Sequence, residues 1–116
     1  MGIQIPITGA RGTVGTSLAA IYTVPKVDSQ QPYVTVENIL FTNSIDDDPF
    51  ILSLYQNSNN SKTPTLLWSF KSLIAKSFMD SNIKELLYGD SLLAICDKST
   101  VSFVINGFYV KSEIIP

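Results

Sequence analysis

Tyr33-Val34-Thr35-Val36-Glu37-Asn38-Ile39-Leu40-Phe41-Thr42-Asn43 decides the fold class of this chain. The stretch is rich in β-branched and aromatic residues and alternates in character, as a pleated strand with one buried face does. The alternation changes phase in the middle. Val34 and Val36 lie on one face, Ile39 and Phe41 on the other. One extra residue near Glu37-Asn38, a β-bulge, returns all four to a single face. The other reading covers both faces, as inside an interface.

Outward from this strand the same rhythm repeats. Leu18–Val24 ends at Pro25, and Phe50–Gln56 places Phe50, Leu52 and Leu54 on one face. Across the Asn43–Pro49 turn, Phe50–Gln56 reads as the antiparallel partner of Tyr33–Asn43. Leu66–Phe70, Leu92–Cys96 and Val101–Val110 follow, with Gly107 marking a kink or bulge. Gly89-Asp90 is a turn, Asp97-Lys98-Ser99-Thr100 a tight hairpin connection, and Asn57–Lys62 a polar tip. Short strands at regular spacing predict an all-β, antiparallel β-sandwich, jelly-roll-like or immunoglobulin-like. The segment 71–87 admits two readings. Leu73, Ile74, Ser77 and Phe78, then Ile83, Leu86 and Leu87, fit the stripe of a short helix, while a loop would cover one end of the sandwich.

Three regions are expected: an N-terminal extended arm over 1–16, a sandwich over 17–111 and a C-terminal tail over 112–116. In the arm, Ile3, Ile5 and Ile7 alternate with Gln4 and Pro6. They form either an edge strand of the same chain or an assembly arm that adds a strand to a neighbour's sheet. An assembly arm could be deleted without loss of the fold.

Composition excludes several functions. The 116 residues make one domain, and the charged fraction of 16% is below the usual quarter. Such a surface suits a chain that rests against other proteins. The net charge is −2 and the eight Lys and Arg are scattered, so neither nucleic acid nor a membrane surface is an expected partner. The N-terminus has neither the cationic nor the apolar region of a signal peptide. With no His and one Cys, a Ser-His-Asp triad cannot form and zinc has no ligand set. Asp46, Asp47 and Asp48 are consecutive and diverge, which fits a solvated turn better than calcium. Glu37 or Glu113 with Asp90 is the nearest approach to a glycosidase pair, and nothing in the spacing supports it. Gly9, Gly12 and Gly15 match neither a dinucleotide fingerprint nor a P-loop. The expectation is a non-enzyme with no cofactor and no metal. Cys96 reads as a small buried hydrophobe. Tyr22, Tyr33, Trp68, Tyr88 and Tyr109 would suit a carbohydrate-binding module, though Trp68, between Leu66-Leu67 and Phe70, reads as core.

Leu18-Ala19-Ala20-Ile21-Tyr22-Thr23-Val24-Pro25 leads into the strand ending Asn38-Ile39-Leu40-Phe41-Thr42-Asn43. Tyr88-Gly89-Asp90-Ser91-Leu92-Leu93-Ala94 then precedes Val101-Ser102-Phe103-Val104-Ile105-Asn106-Gly107. Over Leu18–Val110 this order resembles the small β-sandwich virion structural proteins of tailed bacteriophages. Those have a Leu/Ile-Tyr-Thr-x-Pro strand, an Ile-x-x-x-Asn strand and a late Gly-Asp-x-Leu turn. The resemblance implies a capsid decoration or cement protein, or a tail, baseplate or fibre-attachment component. It implies other virion proteins as partners, a symmetric homo-oligomer with a trimer favoured, and synthesis in the bacterial host cytoplasm. The chain departs from the family at Lys71–Leu87, where the family has a second pair of Leu-rich strands and this chain carries Lys71, Lys76 and Lys84.

Overall fold

A computed structural model describes residues 2–7, 10–24, 33–43, 50–58, 63–73, 77–87, 89–98 and 101–112. The acidic run Asp46–Asp48, most of the polar tip 57–62 and the tail from 113 lie outside them. The described residues form ten strands: β1 (Gly2–Pro6), β2 (Arg11–Thr13), β3 (Ala19–Thr23), β4 (Tyr33–Asn43), β5 (Phe50–Asn57), β6 (Thr65–Leu73), β7 (Ser77–Asp80), β8 (Lys84–Leu87), β9 (Ser91–Cys96) and β10 (Val101–Ser112). All pairings are antiparallel, in two sheets.

The larger sheet is built on the long pair β4 and β10. Its order is β1-β10-β4-β7, with β2 also on β10 and β8 also on β4. The short strands β1 and β2 lie end to end along one side, and β7 and β8 lie end to end along the other. The second sheet has the order β3-β9-β5-β6. With each end-to-end pair taken as one interrupted strand, the chain has eight strands in sheets ordered 1-8-3-6 and 2-7-4-5. That is jelly-roll connectivity. It decides between the two sandwich types expected from the sequence.

Two strand pairings expected from proximity do not form. β4 and β5 lie in different sheets, as do β9 and β10, so neither connection is a hairpin. In a jelly roll most consecutive strands cross between sheets, and pairing is set by the rolled ribbon rather than by chain neighbourhood.

The expected bulge is present. Asn106 pairs with Asn38 and Gly107 with Val36, so Glu37 is the extra residue. Val34, Val36, Ile39 and Phe41 are all fully buried while Glu37 is exposed. They join Phe50, Leu52, Leu54, Leu86, Leu92, Val101 and Ile105 in one core between the sheets.

Both readings of 71–87, the short helix and the end-covering loop, give way to strands. Among the described residues this segment is strand: the end of β6, then β7 and β8. Phe78, Asp80, Lys84 and Leu86 turn inward, against exposed Ser77, Met79, Glu85 and Leu87. The period of two is hidden because two inward positions hold a charged pair instead of apolar side chains. Residues of the expected arm belong to the larger sheet of the same chain. β1 pairs with β10 from Gly2↔Ser112 to Pro6↔Phe108, and β2 pairs with the same strand further along.

Candidate functional site

β7 ends on Asp80, which faces into the rim between the sheets and is 2% exposed. β8 begins on Lys84, also inward-facing and buried. The Lys84 ammonium donates to Asp80 Oδ2 at 2.7 Å and to the Asn82 carbonyl at 2.8 Å. The Trp68 indole N–H, from β6 of the other sheet, donates to the same Oδ2 at 2.7 Å. The Asn82 amide donates to Oδ1 at 3.0 Å, which closes a tight turn. The Trp68 ring meets Phe41 and Phe78 edge to face, with centroids 5.8 and 5.5 Å away. One carboxylate thus ties the two sheets together at their rim.

Burial pushes the Asp80 carboxyl up. The hydrogen bonds from Lys84, Trp68 and Asn82, with the Lys84 charge, outweigh that and hold it below its ordinary value. A carboxylate that accepts from three donors, one of them on the other sheet, acts as a fastening between the layers. Beside it opens a cleft of about 350 Å³ lined by Gln56, Leu67, Trp68, Asn82, Ile83, Lys84 and Glu85.

The broad outer faces of the two sheets differ in chemistry. On the larger sheet, Arg11, Val104, Leu40 and Met79 form a row across four strands, with exposed Glu37 and Glu85 on the same face. On the smaller sheet the corresponding row is Ala20, Leu93, Tyr55 and Leu66. Ile95 stands beside it, and the hydroxyls there are paired with each other: Ser53 with Ser69 at 2.8 Å, Thr23 with Ser91 at 3.0 Å.

The arm residues lie along β10 of their own chain. Ile3 pairs with Lys111 and Ile5 with Tyr109, and the Ile7 amide donates to the Gly107 carbonyl at 3.0 Å. Ile5 is partly buried, and Ile7 packs against the core. Of the two readings of this segment, the backbone adopts the edge strand.

The remaining candidates are dispersed. Asp90 is buried, and its carboxylate accepts from the Leu87 amide at 2.9 Å, holding the Gly89-Asp90 turn, where Gly89 has φ 83°. Glu37 is exposed at the bulge and Glu113 is outside the described residues. Cys96 is buried, and that burial, with the neighbouring Asp97 carboxylate, pushes its thiol up, away from the reactive thiolate. Among the described residues no group of three or more His, Cys, Asp or Glu could hold a metal ion, and no helix is long and apolar enough to cross a membrane. The Asp80–Lys84–Trp68 cluster escaped sequence reasoning. Its one visible trace is the broken alternation across 77–87.

No family model, curated protein or solved structure matches the chain.

Proposed function

We propose that this chain is a non-enzymatic structural protein of a tailed-bacteriophage particle. Its role is capsid decoration or cementing ahead of a tail, baseplate or fibre-attachment role. It would be made in the bacterial host cytoplasm and assembled onto the virion as a homo-oligomer among other virion proteins. The observation that carries the reading is the jelly-roll connectivity, an architecture common among virus capsid domains. It joins the sequence resemblance over Leu18–Val110, which rests on different evidence. Fold alone does not assign function, and lectins share the architecture. Against a carbohydrate-binding module stands the condition of Trp68. Its N–H is committed to Asp80 and its ring to Phe41 and Phe78, so the side chain that would anchor a sugar is held as part of the sheet-to-sheet fastening.

The test is mass spectrometry of particles banded by density from a lysate that expresses the chain. The protein is expected in the particle band at a fixed ratio to the major capsid protein, and antibody labelling in the electron microscope is expected on the capsid. Labelling on the tail would transfer the role there. Abundance in the lysate with absence from the band would end the virion reading.

A further inference from the structure

We propose that the outer face of the sheet β3-β9-β5-β6 is a self-association surface that seats a second copy of this chain, face to face. The inference stands on the chemistry of this face and goes beyond the virion reading.

The row Ala20–Leu93–Tyr55–Leu66 crosses all four strands, with Leu66 51% exposed at the β6 end. Ile95 and Ile51, the latter 43% exposed, extend it. The four strands contain one charged residue, Lys71, near the end of β6. The outer face of the other sheet carries Arg11, Glu37 and Glu85, while its Asp80 and Lys84 point inward as a buried pair. A molecule with one charged face and one nearly charge-free face is prepared to have the latter covered.

Charge selects the occupant. A twofold axis sets a face against itself, so any net charge on it meets like charge; a face whose strands hold a single charge, near the end of the edge strand β6, largely escapes this repulsion. A strongly charged partner would find no counter-charge here. The polar groups also accept covering. Within Ser53–Ser69 and Thr23–Ser91 one hydroxyl donates to the other, which lowers the cost of drying them and leaves one hydroxyl hydrogen of each pair for an acceptor across the interface. Asp97, bonded to the Ile51 amide at 2.8 Å, supplies a polar rim at one end.

The area fits a weak pair. Four strands about 4.8 Å apart, averaging seven residues at about 3.3 Å, give a face of roughly 19 by 23 Å. Two such faces bury roughly 900 Å², in the range of weak, transient pairs, so a dissociation constant no tighter than micromolar is expected. Stacked twisted sheets pack in this way inside sandwiches.

The test is light scattering of the full chain from about 1 to about 100 µM, a range set by that affinity. A monomer–dimer equilibrium is expected. Leu93→Glu, which puts like charges at the centre of the stacked faces, should weaken it about tenfold or more. Leu66→Glu, at the exposed edge, provides the same test should Leu93→Glu fold poorly. Met79→Glu, 50% exposed on the opposite face, should leave the dimer unchanged. Circular dichroism verifies that each variant is folded. A monomer across the range, a trimer, or a dimer indifferent to both Leu93→Glu and Leu66→Glu would overturn the proposal. None of these results bears on whether the protein is found in particles, which the banded-particle experiment decides separately.

Discussion

Gly107 sits where the two longest strands approach without room for a side chain. A Cβ there would stand 2.3 Å from the Thr35 carbonyl oxygen and 3.0 Å from the Val36 Cα, both backbone atoms that cannot swing aside. Gly107→Ala should therefore cost about 3 kcal/mol in urea unfolding, through strain at the bulge. Gly15→Ala meets its nearest neighbour, the Ser17 carbonyl oxygen, at an ordinary 3.6 Å and should be neutral or slightly stabilising. Asp80 is a second such point. Asp80→Asn leaves the Lys84 ammonium buried without its counter-charge, and a loss of about 3 kcal/mol is expected. The pH dependence has a definite sign. The folded carboxyl lies below its ordinary value of 3.8, so its contribution is full above that pH and is lost as pH falls through the folded value. Thermal melts should show wild-type stability dropping from about pH 4 downward, with a shallower drop in Asp80→Asn. The need for glycine at 107 was legible in the sequence as a kink. The need for Asp80 was not, because its partners come from β6, β8 and the intervening turn.

At the scale of elements, β1 and β2 serve as one interrupted strand of the larger sheet. Val14 is fully buried and Ala10 nearly so. The Val14 amide donates to the Val101 carbonyl and the Ile105 amide to the Ala10 carbonyl, each at 2.8 Å, and the Cys96 amide reaches the Gly15 carbonyl at 3.0 Å. Deleting residues 1–16 would open the edge of β10 and empty part of the core. The truncated chain is expected to be unfolded or aggregated by circular dichroism and sedimentation, against the separable arm anticipated from Ile3, Ile5 and Ile7. A folded, soluble truncation would restore that view. β7 and β8 teach the complementary lesson. Apolar spacing alone suggested a helix there. The strand pattern appears only once Asp80 and Lys84 are seen to occupy inward positions as a neutralised pair.

The whole molecule is a long ribbon rolled into two layers. β5 pairs with β6, β4 with β7 and β8, β3 with β9, and β1 and β2 with β10, so the first described strand meets the last. The result is a plate of 56 × 28 × 19 Å. Its radius of gyration of 15.2 Å exceeds the roughly 13 Å of a rounder domain this size. A thin plate exposes two broad faces relative to its volume, which makes the chemistry of each face consequential. By itself the sequence determined the all-β class, the position of the main strands, the turn at Gly89-Asp90 and a change of face near Glu37-Asn38 that either a bulge or a doubly covered strand would explain. These follow from local steric preference and from the period of apolar residues, both written in neighbouring positions. Only the tertiary structure decided which strands pair, that the roll is a jelly roll, that residues 1–16 close its edge, and that Asp80 and Lys84 meet Trp68. Those outcomes depend on contacts between residues distant in the chain, where many pairings satisfy the same local pattern and the burial of one common core selects among them.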